Sequence, residues 1–254
     1  MYRKETRIHL AGEKLKIMLI TPILPGVQRR NQKEYLDRIR KLSGICSTTE
    51  LDSIAIEKGP ASIESRYDDI LATPYVIKKI VEAELNGFDA VTVNCFGDPA
   101  VRAGRELVNI PVVGPGEASM LIASSLCNKF SVITVIKNIL PVIYENAKLY
   151  GVEGKLASIR AIDIPVLELH KNEEKTVEAL ADEGMKAIEN DGAEVLILGC
   201  TGMTGMAEKL REILKIKVLD PLPTAVKFAE TLVSLGLSHS KITYPTPPEK
   251  KRIE

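Results

Sequence analysis

Two nonapeptides in different halves of the chain share one pattern. Gly87–Cys95 reads GFDAVTVNC and Gly192–Cys200 reads GAEVLILGC. Each opens on Gly, places an acidic residue two positions on, continues as an apolar run and closes on Cys. The duplication extends outward. VVGPGEA (Val112–Ala118) corresponds to VLDPLPTA (Val218–Ala225), and LITPILP (Leu19–Pro25) corresponds to VITVIKNILP (Val132–Pro141). A repeat whose period is about half the chain demands two similar structural units.

Within each unit, short apolar β-rich runs alternate with helical patterns. Strands are expected over Lys16–Thr21, Thr49–Ile56, Asp89–Asn94, Pro111–Val113, Phe130–Thr134, Ser158–Ile162, Glu194–Leu198 and Lys217–Leu219. Helices are expected over Tyr75–Leu85, Glu117–Leu126, Leu140–Tyr150, Glu173–Glu189, Met206–Leu214 and Thr224–Leu235. The strands are continuous apolar runs, which suits parallel sheets covered on both faces. The expectation is therefore an α/β fold of two Rossmann-like subdomains with parallel sheets, related by a pseudo-twofold and enclosing a cleft. Residues 15–117 form the first subdomain and 118–219 the second, with 244–254 an extended or disordered Pro- and charge-rich tail. Gly59–Thr73 (GPASIESRYDDILAT) is too long for a simple connection and is expected to be a functional loop.

Composition narrows the class. Lys+Arg and Asp+Glu both total 34, so no basic surplus points to nucleic acid. The apolar share of 45% is that of a globular domain, and no stretch has a signal peptide's uncharged core or a membrane span's length. A cytoplasmic protein with a small-molecule partner, no nucleic acid and no membrane is the expectation. Cys46, Cys95, Cys127 and Cys200 form no C-x-x-C pair, so neither a cysteine-pair zinc site nor a disulfide framework is expected.

Cys95 and Cys200 each stand one residue past an apolar run, where ligands bind in open parallel sheets. Phe96-Gly97-Asp98 and Thr201-Gly202-Met203 follow them and lead towards helices. Helix N-terminal N–H groups favour thiolate and are expected to depress both thiol pKa values. Alone, either cysteine reads most simply as a small buried residue. As a repeated pair across a cleft, they could exchange protons with opposite faces of one carbon.

GPASIES (Gly59–Ser65), VNCFGDPAVRAGRE (Val93–Glu106), PVVGPGEAS (Pro111–Ser119), FSVIT (Phe130–Thr134) and LGCTGM (Leu198–Met203) together resemble the aspartate/glutamate/hydantoin racemase superfamily, most closely its hydantoin racemase branch. The resemblance spans roughly residues 15–235. It implies two α/β subdomains, with the last helix (here within 220–243) returning to the first, and a homo-oligomer. It also implies no cofactor, catalysis by Cys95 and Cys200, and substrate carbonyls held at Phe96, Gly97, Thr201 and Gly202. Two departures bear on substrate. The branch's usual Asn-Pro-Asn after the first strand is Thr21-Pro22-Ile23 here, and the Asn-Thr and His that follow the cysteines in amino-acid racemases are Phe96-Gly97 and Thr201-Gly202.

Other candidates carry weaker signals. Thr21 and Thr134 end matching strands and could touch substrate, as could Ser62 and Ser65 in the long loop. Gly114–Ser119 lacks the third glycine of a dinucleotide fingerprint, which argues against NAD. Its Glu117 opens a helix and is a possible ligand contact. His9, His170 and His239 are expected in solvated roles, Cys46 and Cys127 as structural thiols, and Asp98, Arg102 and Arg105 on a solvated or interface helix face. The preferred reading is a cofactor-independent racemase of 5-substituted hydantoins or similar cyclic ureides. The alternatives are another amino-acid or carboxylate racemase or isomerase of the superfamily, and a non-catalytic small-molecule sensor.

Overall fold

A computed structural model describes residues 14–26 and 31–252. His9 and the extreme N-terminus lie outside the described residues. Among the described residues, eight strands form two four-stranded sheets, and every pairing within them is parallel. The strands are β1 (Lys16–Thr21), β2 (Glu50–Ala55), β3 (Ala90–Val93), β4 (Val112–Val113), β5 (Phe130–Thr134), β6 (Leu156–Ala161), β7 (Val195–Leu198) and β8 (Lys217–Leu219). The first sheet has order β2-β1-β3-β4 and the second β6-β5-β7-β8, the same topology twice. The sequence duplication is thus a duplication of architecture. In each sheet the two inner strands are the most apolar. β1 is buried after its first residue, and β3, β5 and β7 are buried throughout, whereas edge strands β2 and β6 are mostly half-exposed.

Helices cover both sheets: α1 (Gln32–Ser43), α2 (Arg66–Leu85), α3 (Val101–Leu107), α4 (Pro115–Leu126), α5 (Leu140–Leu149), α6 (Glu173–Asp191), α7 (Ala207–Leu214) and α8 (Pro221–Ser234). On the first sheet, α2 buries Ala72, Val76 and Ile80 against Ile20, Val91 and Val93. The opposite face is covered by α8, whose Leu222, Ala225, Val226 and Ala229 recur at helical spacing and are fully buried with Ile17, Leu19 and Ala90. The chain's last helix therefore packs on its first sheet. A single truncation in the α2 stripe, such as Ile80→Ala, would cost about 2–5 kcal/mol because the surroundings cannot collapse fully. The second half has its own core around Phe130, Ile133, Leu180 and Leu196.

Three boundaries differ from the sequence expectation. Half of the supposed long loop is helix, since α2 begins at Arg66 and not at Tyr75. Pro74 lies inside α2, and a Pro in a helix interior normally marks a break. Here Ser65 caps the N-terminus by accepting from Asp68 N, Asp68 and Asp69 complement the helix dipole, and Thr73 Oγ1 bonds back to Asp69 O at 2.8 Å. Together with the buried stripe, these outweigh the lost backbone bond. Second, α4 starts at Pro115, where Pro's missing N–H is unneeded. Third, polar α1 and short α3 lack the apolar periodicity that drew attention elsewhere. Asn31-Gln32-Lys33-Glu34 was the available signal, because Asn31 does cap α1 and Gly44 ends it in the left-handed region at φ 58°. Among the described residues, no helix is long and apolar enough to cross a membrane.

Candidate active site

β1 and β3 of the first sheet and β7 of the second end at one cavity of about 500 Å³. Cys95, two residues beyond β3, and Cys200, two residues beyond β7, both line it, so one wall comes from each half. Thr21, Pro22 and Ile23 continue the wall past β1, and Ser62 and Ile63 add a segment ahead of α2. Glu34, Tyr35 and Arg38 of α1 complete the lining together with Val166, His170, Thr201, Gly202 and Thr204.

Both thiols receive backbone hydrogen bonds, but in different settings. Cys95 begins a tight turn in which Asp98 N–H donates to its carbonyl at 3.1 Å. The Gly97 N–H points at its sulfur. Cys200 caps a single 3₁₀ turn (Thr201–Met203), and Gly202 N–H donates to its Sγ at 3.3 Å. The expected acidic thiols are not found. Burial raises Cys95 well above the ordinary thiol value, and the charges of Cys200, Asp69 and Asp98 add to it. Burial likewise raises Cys200 to about 11, despite the Gly202 and Met203 amides. Desolvation of the thiolate outweighs two amide dipoles, because the cavity walls replace water around each sulfur. Nor does α3 help Cys95. It starts only at Val101, several residues away.

The other sequence candidates divide into those that reach the cavity and those that do not. Thr21, Ser62, Thr201 and Gly202 line it. Ser62 Oγ donates to Glu64 at 2.8 Å, and Thr201 Oγ1 donates across the cleft to Asn94 O at 3.2 Å. The Gly97 amide is turned to the Cys95 sulfur, and its carbonyl accepts from Asn146 Nδ2 at 3.0 Å. Phe96 is buried in the second half's core, not in the cavity wall. Thr134 is fully buried and donates to Gly199 O at 3.0 Å, locking the ends of β5 and β7 together. Glu117 is bound to Arg105 in an ion pair outside the cavity. Ser65 is the α2 cap.

The helix face expected to be solvated is largely internal. Arg105 is only 3% exposed, pairs with Glu117 and donates from Nε to Val112 O at 3.0 Å. Asp98 is buried and accepts from Gly116 N, Glu117 N and Tyr150 Oη. Burial lifts its pKa to about 7 against the pull of those donors. Arg102 does reach the surface, against the Tyr244 ring. His239 is half-buried and not solvated. Desolvation and Arg105 push its pKa down to about 3. His170 is exposed, as expected, but lines the cavity and bonds the Gly202 carbonyl through Nε2 at 2.8 Å. Cys46 is exposed beside Thr48, and Cys127 ends α4, donating to Ala123 O at 3.1 Å. Neither lines the cavity.

Sequence reasoning missed Asn94, Tyr35 and Arg38. Asn94 Nδ2 donates to Tyr35 Oη at 3.0 Å and to Thr21 Oγ1 at 3.3 Å, which puts a side-chain amide on the wall. Its position next to Cys95 was a usable signal. Tyr35 and Arg38 lie on α1, whose polar sequence hid the helix.

A family model described as Asp/Glu/Hydantoin racemase matches residues 36–229, most of the chain and both cysteine loops. The chain belongs to the Asp/Glu/hydantoin racemase family. A hydantoin racemase of Pseudomonas sp. (strain NS671) is 40% identical over 205 residues, covering 81% of this chain and 82% of the relative. Among solved structures, the allantoin racemase from Klebsiella pneumoniae superposes with a TM-score of 0.86 at 30% identity, covering 95% of this chain and 97% of that one. The allantoin racemase from Pseudomonas fluorescens gives 0.86 at 33% identity, covering 94% and 100%. This racemase-family enzyme therefore shares the relatives' fold over nearly its whole length.

Proposed function

We propose that this enzyme racemises 5-substituted hydantoins or similar cyclic ureides by two-base proton transfer between Cys95 and Cys200. The observation that carries the reading is the pair of thiols, one from each half, on the wall of a single cavity. The names of the hydantoin and allantoin racemase relatives support the substrate class.

The shared cavity supports the following chemistry. A thiolate on one side removes the proton from C5, and the electron pair passes into the adjacent carbonyl as an enolate. The opposite thiol then returns its own proton to the other face of C5 and is left as thiolate. Atoms and charge balance, and the enzyme emerges ready for the mirror-image substrate. Both thiols are protonated in the resting enzyme, so one proton must leave before a cycle starts. The Gly97 and Gly202 amides hold whichever sulfur carries the charge. A cavity of about 500 Å³ exceeds a hydantoin ring, leaving room for a substituent towards Tyr35 and Arg38.

Arg38 favours a second reading, a carboxylate substrate of another racemase or isomerase in the superfamily, because its guanidinium could pair with the carboxylate. Incubation of single-enantiomer hydantoins, allantoin, and amino and dicarboxylic acids in D₂O separates the two. The proposal expects loss of optical rotation with deuterium entering C5 of the ureides. Ureide deuteration no faster than in buffer rejects it, and turnover of carboxylates alone establishes the second reading.

A further inference from the structure

We propose that Asn146 and Tyr150, on the second half, are positioning residues for Cys95 on the first, and that the return bond from Thr201 completes a cross-brace setting the gap between the two thiols. This rests on the two-thiol reading above.

The Cys95–Asp98 turn leaves β3 of the first sheet, yet its polar groups are held from the other half. Asn146 Nδ2 donates to Gly97 O at 3.0 Å, and Tyr150 Oη donates to Asp98 Oδ2 at 2.7 Å. Asn146 and Tyr150 are four residues apart, on α5 and at its C-terminal cap, so one helix face presents both to the turn. Asn146 is 8% exposed and the Asp98 carboxylate is buried, which places these bonds where water does not compete. Asp98 also receives the N-terminal amides of α4, Gly116 at 2.9 Å and Glu117 at 2.7 Å. The same turn holds two non-glycine residues in left-handed backbone, Asp98 at φ 55° and Ala100 at φ 63°. Such a conformation persists only while its surroundings enforce it.

The other arm runs in the opposite direction. Thr201, next to Cys200, donates its hydroxyl to the carbonyl of Asn94, next to Cys95, at 3.2 Å. Glu64 of the first half accepts from Val166 N of the second at 2.7 Å. Each cysteine loop is therefore pinned by the half that carries the other cysteine. Neither Asn146 nor Tyr150 lines the cavity, so both act through Cys95 and not on substrate.

The test compares Tyr150→Phe and Asn146→Ala with Cys95→Ser and Cys200→Ser. Tyr150→Phe removes a single oxygen, which keeps the fold available for measurement. The readouts are kcat and KM for a 5-substituted hydantoin, the alkylation rate of each thiol by peptide mass spectrometry, and the thermal midpoint. The brace variants should lower kcat about tenfold to hundredfold, as a misplacement near 1 Å does. KM should stay within roughly threefold, since binding groups are untouched. Alkylation of Cys95 should change severalfold while that of Cys200 does not. Unchanged kcat in both variants overturns the brace, as does a parallel change of both thiols with the thermal midpoint. Full racemisation by Cys95→Ser would instead remove the two-thiol reading. Inactive serine variants beside fully active Tyr150→Phe and Asn146→Ala would remove the brace alone.

Discussion

The two cysteine loops occupy equivalent places in a duplicated fold, yet they are built differently. Cys200 sits on a one-turn 3₁₀ helix whose main-chain amides face its sulfur. Its neighbours are mostly apolar or neutral, and Leu169 and Val166 pack beside Gly202. The Cys95 loop is instead a strained turn moored by side chains, with a buried carboxylate as its centre. Besides burial, the charge of Cys200 and then those of Asp69 and Asp98 raise Cys95, and the charge of Glu64 raises Cys200. One inherited motif thus yields two unequal surroundings. Burial raises both thiols, and the charge of one sulfur raises the other, so whichever ionises first keeps its partner protonated. A duplicated fold gives symmetry of position, and the side chains filling it make the two loops different.

The largest expected effect removes either base. Cys95→Ser and Cys200→Ser should each reduce racemisation by about 10³-fold or more, because a serine hydroxyl neither ionises nor donates comparably. Chiral chromatography of product from each enantiomer measures this. A variant that racemises freely would break the comparison at its root.

Next in size is a contrast between glycines. A Cβ at Gly116 would overlap the carbonyl of Phe96 and the Asp98 carboxylate, backbone and anchored groups that cannot yield. A Cβ at Gly202 would meet Leu169 Cδ1 at 3.0 Å and the Cys200 sulfur at 3.3 Å, contacts that small adjustments relieve. Gly116→Ala should therefore lower kcat about 100-fold by displacing the Cys95 turn, well beyond the effect of Gly202→Ala. Equal losses would mean that the two loops are equally tolerant, against the present account.

Much of this was legible in the sequence, and the reason is periodicity. Strand ends at Cys95 and Cys200 follow from apolar runs whose length and spacing recur, so the paired-thiol cavity could be anticipated. What escaped detection lacked that signature. Mooring of the Cys95 turn by Asn146 and Tyr150 joins residues about fifty positions apart, and no local pattern encodes it. Thr134 ends its strand as Thr21 does, yet Gly199 lies against it and turns its hydroxyl into a strand lock. The thiol pKa values failed for a related reason. Dipoles from nearby amides can be read locally, but burial is a property of the finished fold and here it dominates.

The third expectation is a pH profile. Burial raises both thiols, Cys200 to about 11, so few free-enzyme molecules carry a thiolate at pH 7. Raising the pH creates one thiolate, whose charge keeps the partner thiol protonated as the donor. The ratio kcat/KM should thus rise about tenfold per pH unit between pH 7 and 9, and fall only where the second thiol also ionises. A plateau already reached at pH 7 would show that the free enzyme holds a far more acidic thiol.

The smallest effect is expected at Thr201→Val, which deletes the hydroxyl that reaches Asn94 O. A neutral hydrogen bond is worth about 1 kcal/mol net, so a loss of about fivefold in kcat is the natural scale. Its smallness is itself the discriminating point. The amides that face the Cys200 sulfur belong to the main chain and persist in any side-chain variant, whereas the Cys95 turn depends on side chains supplied by α5. Tyr150→Phe should therefore cost more than Thr201→Val when both are assayed with the same enantiomer. The reverse order would place the decisive anchor at Cys200 and make the main-chain cradle there insufficient.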